Sequence, residues 1–265
     1  MSSPTVRILF VGDVVGRPGR DALEGLLPDL RAELGVDACV VNGENVADGV
    51  GITPRLAERL LAAGADAITL GNHTWRRVEI APYLATSDRV ARPANLSAAA
   101  PGKGLVVVEA AAARVAVVNV LGSLYLDPAR SLWEIVDELV EEATAHTPVI
   151  VVDIHAEATS EKVALASWLD GRVTAVLGTH THIQTADARV LPGGTAAMTD
   201  VGMTGPHDSV LGVQTELAVR RMRTGLPVRF ETASSGVRLE GALVTCDPAT
   251  GRASAIEPVR VAWPR

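Results

Sequence analysis

Carboxylates, amides and imidazoles recur in one kind of place in this chain, directly after short apolar runs. Phe10-Val-Gly-Asp13 ends one run in an aspartate, and Val40-Val-Asn-Gly-Glu44-Asn45 ends another in a glutamate and an asparagine. Leu70-Gly-Asn72-His73, Val152-Asp-Ile-His155 and Leu177-Gly-Thr-His180-Thr-His182 follow the same pattern. Taken singly, an Asp or Asn after a strand is commonly a turn residue or helix cap, and a lone His a hydrogen-bonded structural residue. Recurrence at every end is what points to a shared site. Oxygen and imidazole donors without thiolate suit Mn²⁺, Fe or Zn²⁺, and Mg²⁺ less well where histidines are several. Leaving His73 aside, Asp13, Glu44, Asn45, Asn72, His155, His180 and His182 exceed the four ligands of an ordinary zinc site. They fit two ions bridged by one carboxylate, about 3.5–4 Å apart, an arrangement that commonly serves phosphoester hydrolysis.

The elements that must position these residues are short strands alternating with longer helical patterns. Ile8–Val11, Ala38–Val41, Ala65–Leu70, Val149–Asp153 and Val173–Leu177 read as strands. Asp21–Leu34 reads as an amphipathic helix with Leu23, Leu26, Leu27, Leu30 and Leu34 on one side. Thr53–Ala63 reads as a second helix, with Thr53 as cap and Pro54 in the first helical position. This alternation predicts βαβ units and a largely parallel sheet. Ligand sites of such sheets lie outside the carboxyl ends of the strands, where the polar residues fall. Two hairpin signals break the rhythm: Leu105–Val108 with Val115–Val120, joined by an Ala-rich link, and Ala242–Cys246 with Ala253–Val261. Antiparallel strands beside βαβ units predict an α/β protein of two packed sheets, organised as a single domain over residues 1–265.

The chain carries 24 basic and 31 acidic residues among 265, a net charge of −7, which argues against stable gripping of a nucleic-acid backbone. With 48% hydrophobic and 21% charged residues it has ordinary globular composition, and with 3% aromatics its core must be built from Ala, Val and Leu. Cys39 and Cys246 are too few for a disulfide framework, and Cys39 reads as a buried thiol. Met1 to Thr5 offers no apolar leader and no stretch is long enough to span a membrane, so a cytoplasmic protein is expected; a homo-oligomer is compatible with the sequence. Gly12, Gly16 and Gly19 do not make a dinucleotide fingerprint, Pro101-Gly-Lys-Gly104 is not a P-loop, and no G-x-S-x-G elbow occurs. Arg17, Arg20, Arg76 and Arg77 follow the polar turns, with solvated helix starts the expectation and substrate phosphate the alternative. His146 reads as a surface residue and His207 as a loop residue. Position alone nominates the loops after Arg92-Pro-Ala-Asn95 and around Gly202–Asp208 for substrate selection.

In order and type, Asp13, Gly43-Glu44-Asn45, Gly71-Asn72-His73, His155 and Gly178-Thr-His180-Thr-His182 resemble the motifs of calcineurin-like metallophosphoesterases. The wider strings Gly12–Arg20, Asn42–Ala47, Asp153–Lys162, Thr179–Thr185 and Thr199–Pro206 resemble the bacterial YmdB-like branch of that superfamily over nearly the whole chain. The resemblance implies a four-layer α/β/β/α sandwich of two mixed sheets, two metal ions with Fe or Mn foremost and Zn or Mg as alternatives, and phosphodiesterase activity on cyclic nucleotides through a metal-bridging hydroxide. It implies Glu44 as bridging carboxylate, Asp13, His182 and Asn45 on one ion, and Asn72, His155 and His180 on the other. His73 would contact the phosphate and protonate the departing oxygen. Asp13-Val-Val15 lacks the histidine of the superfamily's usual Asp-x-His, and Glu44 replaces an Asp, both features of the YmdB-like branch. Asp153 is expected within its strand or behind the site, orienting an imidazole. The rival readings are a phosphomonoesterase on a phosphorylated metabolite or protein, and a metal-stabilised regulator that binds a nucleotide or RNA-processing machinery without turnover. The histidine at position 73 argues against the last, since a binding module needs no proton donor.

Overall fold

On the first strand every second residue faces a different layer, and both faces are buried. Ile8 and Phe10 point one way, Leu9 and Val11 the other, all fully shielded from solvent. A strand buried on both faces needs a layer on each side, and the computed structural model, which describes residues 5–110 and 113–264, supplies them. One sheet runs β2 (Asp13–Val14), β12 (Met203–Pro206), β13 (Val237–Cys246), β1 (Val6–Val11), β3 (Ala38–Asn42), β4 (Ala67–Thr69), β5 (Val90–Ala91), with β14 (Ala253–Ala262) also paired to β13. The second runs β10 (Arg189–Val190), β11 (Ala196–Met198), β9 (Ala175–Thr179), β8 (Ile150–His155), β7 (Arg114–Leu121), β6 (Leu105–Glu109). Strands β1, β3, β4 and β5 are parallel, as are β7, β8, β9 and β11. Both sheets are mixed, because β6 joins β7, and β13 joins β1, β12 and β14, in antiparallel register.

Ile8, Phe10, Val40 and Ala67 of the first sheet meet Val117, Val151, Ala175 and Leu177 of the second. On the outer face of the first sheet, Leu9, Val11, Cys39 and Val41 pack on α1 (Gly16–Glu33), α2 (Pro54–Ala62) and α3 (Ile80–Leu84) through Leu23, Leu27, Leu60, Ile80 and Leu84. On the outer face of the second, Val118, Val120 and Val152 pack on α4 (Val136–Thr144) and α5 (Thr159–Trp168) through Val136, Val140 and Leu165. The result is the four-layer sandwich of two mixed sheets. A sixth helix, α6 (Thr215–Thr224), buries Ala218 alone. No helix among the described residues is long and apolar enough to cross a membrane.

Both hairpins form, and Thr53 caps α2 by accepting from the Leu56 amide at 3.3 Å. Cys39 and Cys246 are buried free thiols, and burial pushes Cys246 up to about 12. Helix α1 starts at Gly16 rather than Asp21. Gly16 adopts φ 59°, turning the chain sharply out of β2, and Pro18 sits in the first turn, where a missing N–H leaves no bond unmade. Gly16, Pro18 and Gly19 thus belong to the helix start. The Ala-rich hairpin link at 111–112, and Met1 to Pro4, lie outside the described residues.

Polar links cross the seam between the sheets. The buried Asn119 amide of β7 donates to the Leu70 carbonyl just after β4 at 2.9 Å, and Asn42 of β3 donates to Asp153 of β8 at 3.0 Å. Asn119→Ala orphans a buried carbonyl, so it is expected to lower stability by about 1–3 kcal/mol, read as a shift in urea midpoint at constant m-value. An unchanged midpoint would mean that the seam does not depend on this bond.

Candidate metal centre

The carboxyl ends of β1, β3 and β4 of the first sheet meet those of β8 and β9 of the second at one edge of the sandwich. The first sheet brings Asp13, Glu44, Asn45, Asn72 and His73, and the second brings His155, His180 and His182. Glu44 lies at the centre, fully buried, with Oε1 3.2 Å from His155 Nε2, 3.1 Å from Asn45 Nδ2 and 3.4 Å from His73 Nδ1. Glu44, His155 and His180 present ligand atoms all within 4.8 Å of one another. Asn72 Oδ1 and His180 Nδ1 each lie 3.0 Å from His155 Nε2. On the other side of Glu44, His182 Nε2 is 3.7 Å from Asp13 Oδ1, and Asp13 Oδ2 accepts from the His180 amide at 3.1 Å. All the expected residues are gathered.

Each histidine has its outer nitrogen tied to an oxygen, which fixes where the inner lone pair points. The Thr179 hydroxyl donates to Asp153 at 2.7 Å, so its oxygen can only accept from His155 Nδ1–H at 2.9 Å. His182 Nδ1 lies 3.2 Å from the Leu211 carbonyl, and His180 Nε2 lies 3.2 Å from Glu157. The inner nitrogens thus converge with the oxygens of Glu44, Asp13 and Asn72, a donor set for a cation. A protein leaves such a knot buried where a cation fills it. The titration behaviour agrees. Burial opposes charge on His155, yet the touching Glu44 carboxylate holds it up to about 9. Burial likewise works against ionised Glu44, and the charge and hydrogen bonds of His155 and His73 keep it well below the usual carboxylate range. Burial raises Asp13 against the pull of His182 and His155, and burial with the neighbouring His155 charge lowers His180 to about 3. The centre demands positive charge, and a metal ion would displace the His155 proton to supply it. The donor set fits divalent ions.

Asn45 is oriented differently from a ligand. Its Oδ1 lies 2.8 Å from His73 Nδ1, while Nδ2 turns toward Glu44, Asp13 and His182. Metal ligation by Asn45 needs the amide turned over, a choice that hydrogen-bond networks decide. His73 also donates its backbone N–H to Glu44 Oε2 at 3.0 Å, leaving ring Nε2 as the nitrogen available to the cavity it lines. Asp153 lies within β8, pushed up to about 6 by burial, and orients His155 through Thr179.

Some positioning residues carry no obvious chemical signature. His180 and His182 both have positive φ, 95° and 63°, and Thr181 between them is clamped. Asp200 Oδ2 accepts from the Thr181 amide at 3.1 Å and from Lys162 Nζ at 3.1 Å, and Lys162 is almost wholly buried. The signal was a lysine on the buried stripe of α5 with Leu165 and Ala166. Arg20 is buried rather than solvated, and donates to the Val46 carbonyl, bracing the turn after Glu44. Arg17 and Arg76 are exposed, and Arg77 pairs with Asp48 at 3.8 Å. His146 is exposed, and His207 lies 3.0 Å from the Met203 carbonyl. The loop after Asn95 is not part of the site: Arg92 donates to carbonyls of Pro93, Ser97, Ala100 and Pro101, and Asn95 to that of Leu121. Nor does the 202–208 loop line the cavity. Turns around Asp48, Leu211 and Phe230 line it instead.

Residues 9–259 match the YmdB-like protein family. The chain belongs to that family. It is 46% identical over 97% of both chains to the 2',3'-cyclic-nucleotide 2'-phosphodiesterase of Bacillus subtilis (strain 168). Crystal structures of a Thermus thermophilus protein and of a phosphatase from Mycoplasma pneumoniae each superpose with a TM-score of 0.91, at 41% and 33% identity. Each covers 98% of this chain, which spans 100% and 95% of theirs. The sandwich seen here is therefore shared over nearly the whole length of these two structures.

Gly71 is what lets the two halves of the YmdB-like centre close. A Cβ there would stand 2.2 Å from Glu44 Oε2 and 2.4 Å from His155 Nε2. Gly71→Ala is expected to weaken Mn²⁺ binding by about 10–100-fold in calorimetric titration, with the far-UV CD spectrum unchanged. Wild-type affinity in a folded variant would contradict the packing described.

Proposed function

We propose that this chain is a binuclear metal-dependent phosphodiesterase that opens the cyclic phosphate of a nucleotide or a similar small phosphodiester. The observation that carries the reading is the convergence of imidazole nitrogens and carboxylate and amide oxygens around Glu44, with His73 on the cavity side of them. The activity in the name of the B. subtilis relative supports the substrate class. Asp13 and His182 would hold one ion, Asn72, His155 and His180 the other, with Glu44 between them. Fe or Mn suits the imidazole-rich donors best, with Zn and Mg the alternatives. When bound, such ions stabilise negative charge on the phosphoryl oxygens and make water a nucleophile at neutral pH.

The remaining work falls to the chain's own residues. Asn45 fixes the His73 ring by accepting from Nδ1–H, so that Nε2 faces the cavity and carries the transferable proton when the ring is an imidazolium. As water oxygen bonds to phosphorus and the bond to the leaving hydroxyl breaks, that hydroxyl's oxygen takes the Nε2 proton. Asp200 and Lys162 hold the His180-Thr181-His182 turn, and Asp153 with Thr179 aims His155, so none of these groups need move during turnover.

His73→Gln separates the roles. It is expected to lower kcat by about 10²–10⁴-fold on a 2',3'-cyclic nucleotide, whose leaving sugar hydroxyl needs a proton. On bis-p-nitrophenyl phosphate, whose leaving group departs unprotonated, the loss is expected to be under about tenfold. Equal losses on both would remove the proton-donor role. Preference of the Mn²⁺-loaded wild type for p-nitrophenyl phosphate would favour a phosphomonoesterase, and metal binding without turnover a regulator.

A further inference from the structure

A cavity of about 340 Å³ opens beside the metal centre, and its two walls differ in chemistry. One wall is Glu44, Asn45, His73, His180 and His182; the other is Val15, Val50, Leu211, Val213 and Phe230. Leu211, Val213 and Phe230 come from an excursion of the chain between β12 and β13, while Val15 follows β2 and Val50 follows β3. Val213 bridges Thr232, the Gln214 amide donates to the Glu231 carbonyl at 3.0 Å, and Leu211 bonds His182, so this excursion is fixed to the centre. The chain has 2 Phe, of which Phe10 is fully buried in the core, while Phe230 is 42% exposed on the cavity. The Arg221 guanidinium lies over the Phe230 ring, 5.1 Å from its centroid, and steadies it.

Among the described residues no Lys or Arg lines this cavity, while the carboxylates of Asp48 and Glu231 do. A phosphate therefore has a place only at the metal end, and the other end suits an uncharged planar group. The volume is at the lower end of the roughly 300–1,000 Å³ of small-molecule sites. We infer that the Phe230 wall is the nucleobase subsite of a mononucleoside cyclic phosphate, with the base stacked on the Phe230 ring and the phosphate at Glu44 and His73. This deepens the phosphodiesterase reading and rests on it.

The test compares adenosine 2',3'-cyclic phosphate with 1-O-methylribose 2',3'-cyclic phosphate, which has the same cyclic diester and no base. Wild-type protein is expected to favour the nucleotide in kcat/KM by about tenfold or more, chiefly through KM, as stacking on one aromatic ring allows. Phe230→Ala is expected to collapse that ratio towards one and Phe230→Trp to keep it. The same ligands titrated calorimetrically into the His73→Gln protein, alone and with each Phe230 substitution, read the subsite without turnover. A ratio unmoved by Phe230→Ala in both rate and affinity overturns the subsite. Failure of the wild type to hydrolyse either compound overturns the phosphodiesterase reading, while the titrations still decide whether Phe230 takes a base.

Discussion

Asp13 and Glu44 are carboxylates without any exposure to solvent, surrounded by imidazole nitrogens and an amide oxygen that point their lone pairs at the same space. Burying such a group is unfavourable by several kcal/mol unless opposite charge and hydrogen bonds answer it. Most of the polar architecture follows from that demand. The outer nitrogen of each histidine is anchored, and the backbone amides of His73 and His180 are spent on Glu44 and Asp13. Gly71 is pared to a hydrogen so that Glu44 and His155 can approach across the seam. What the protein itself leaves unmet is positive charge at the centre, which is the property of a metal site.

The two-sheet sandwich is what allows a centre of this kind. Each sheet supplies parallel strand ends, and packing the sheets face to face brings both sets to a common edge. Small side chains between the sheets, mainly Val and Ala with Phe10 as the aromatic among them, keep the layers close enough for contact. Beneath the centre the seam turns polar, with Asn42, Asp153, Thr179 and Asn119 joined across it. Burial raises Asp153 to about 6, so its ionised form is the one that must be defended, and the Thr179 and Asn42 donors defend it. That network ends on His155 and so ties the ring's aim to the fit between the sheets.

The sequence was most legible where a residue's own chemistry marks its role. Strand ends carrying Asp13, Glu44, Asn72, His155, His180 and His182 could be read because ligand types rarely follow apolar runs so regularly. Both hairpins and the Thr53 cap were legible through turn and capping chemistry. Less legible were residues whose role is geometric. Gly16, Pro18 and Gly19 look like breakers until the sharp exit from β2 makes them a helix start. Gly71 matters only because of what a Cβ would strike. Lys162 and Asp200 act through Thr181, a contact between residues far apart in sequence. The cavity wall at Leu211 and Phe230 lies on an excursion with little periodicity, and only the tertiary fold shows it folding back over His182. Arg20 looked solvated because it follows a turn, yet the Val46 carbonyl draws it into the interior.

Metal stoichiometry is the most direct test of the account. Chelated protein titrated with Mn²⁺ and assayed by elemental analysis after desalting is expected to hold two ions per chain. Glu44→Gln, which keeps the side-chain shape and removes the central charge, is expected to hold at most one. Two ions retained in Glu44→Gln, or none in the wild type, would contradict a centre organised around this carboxylate.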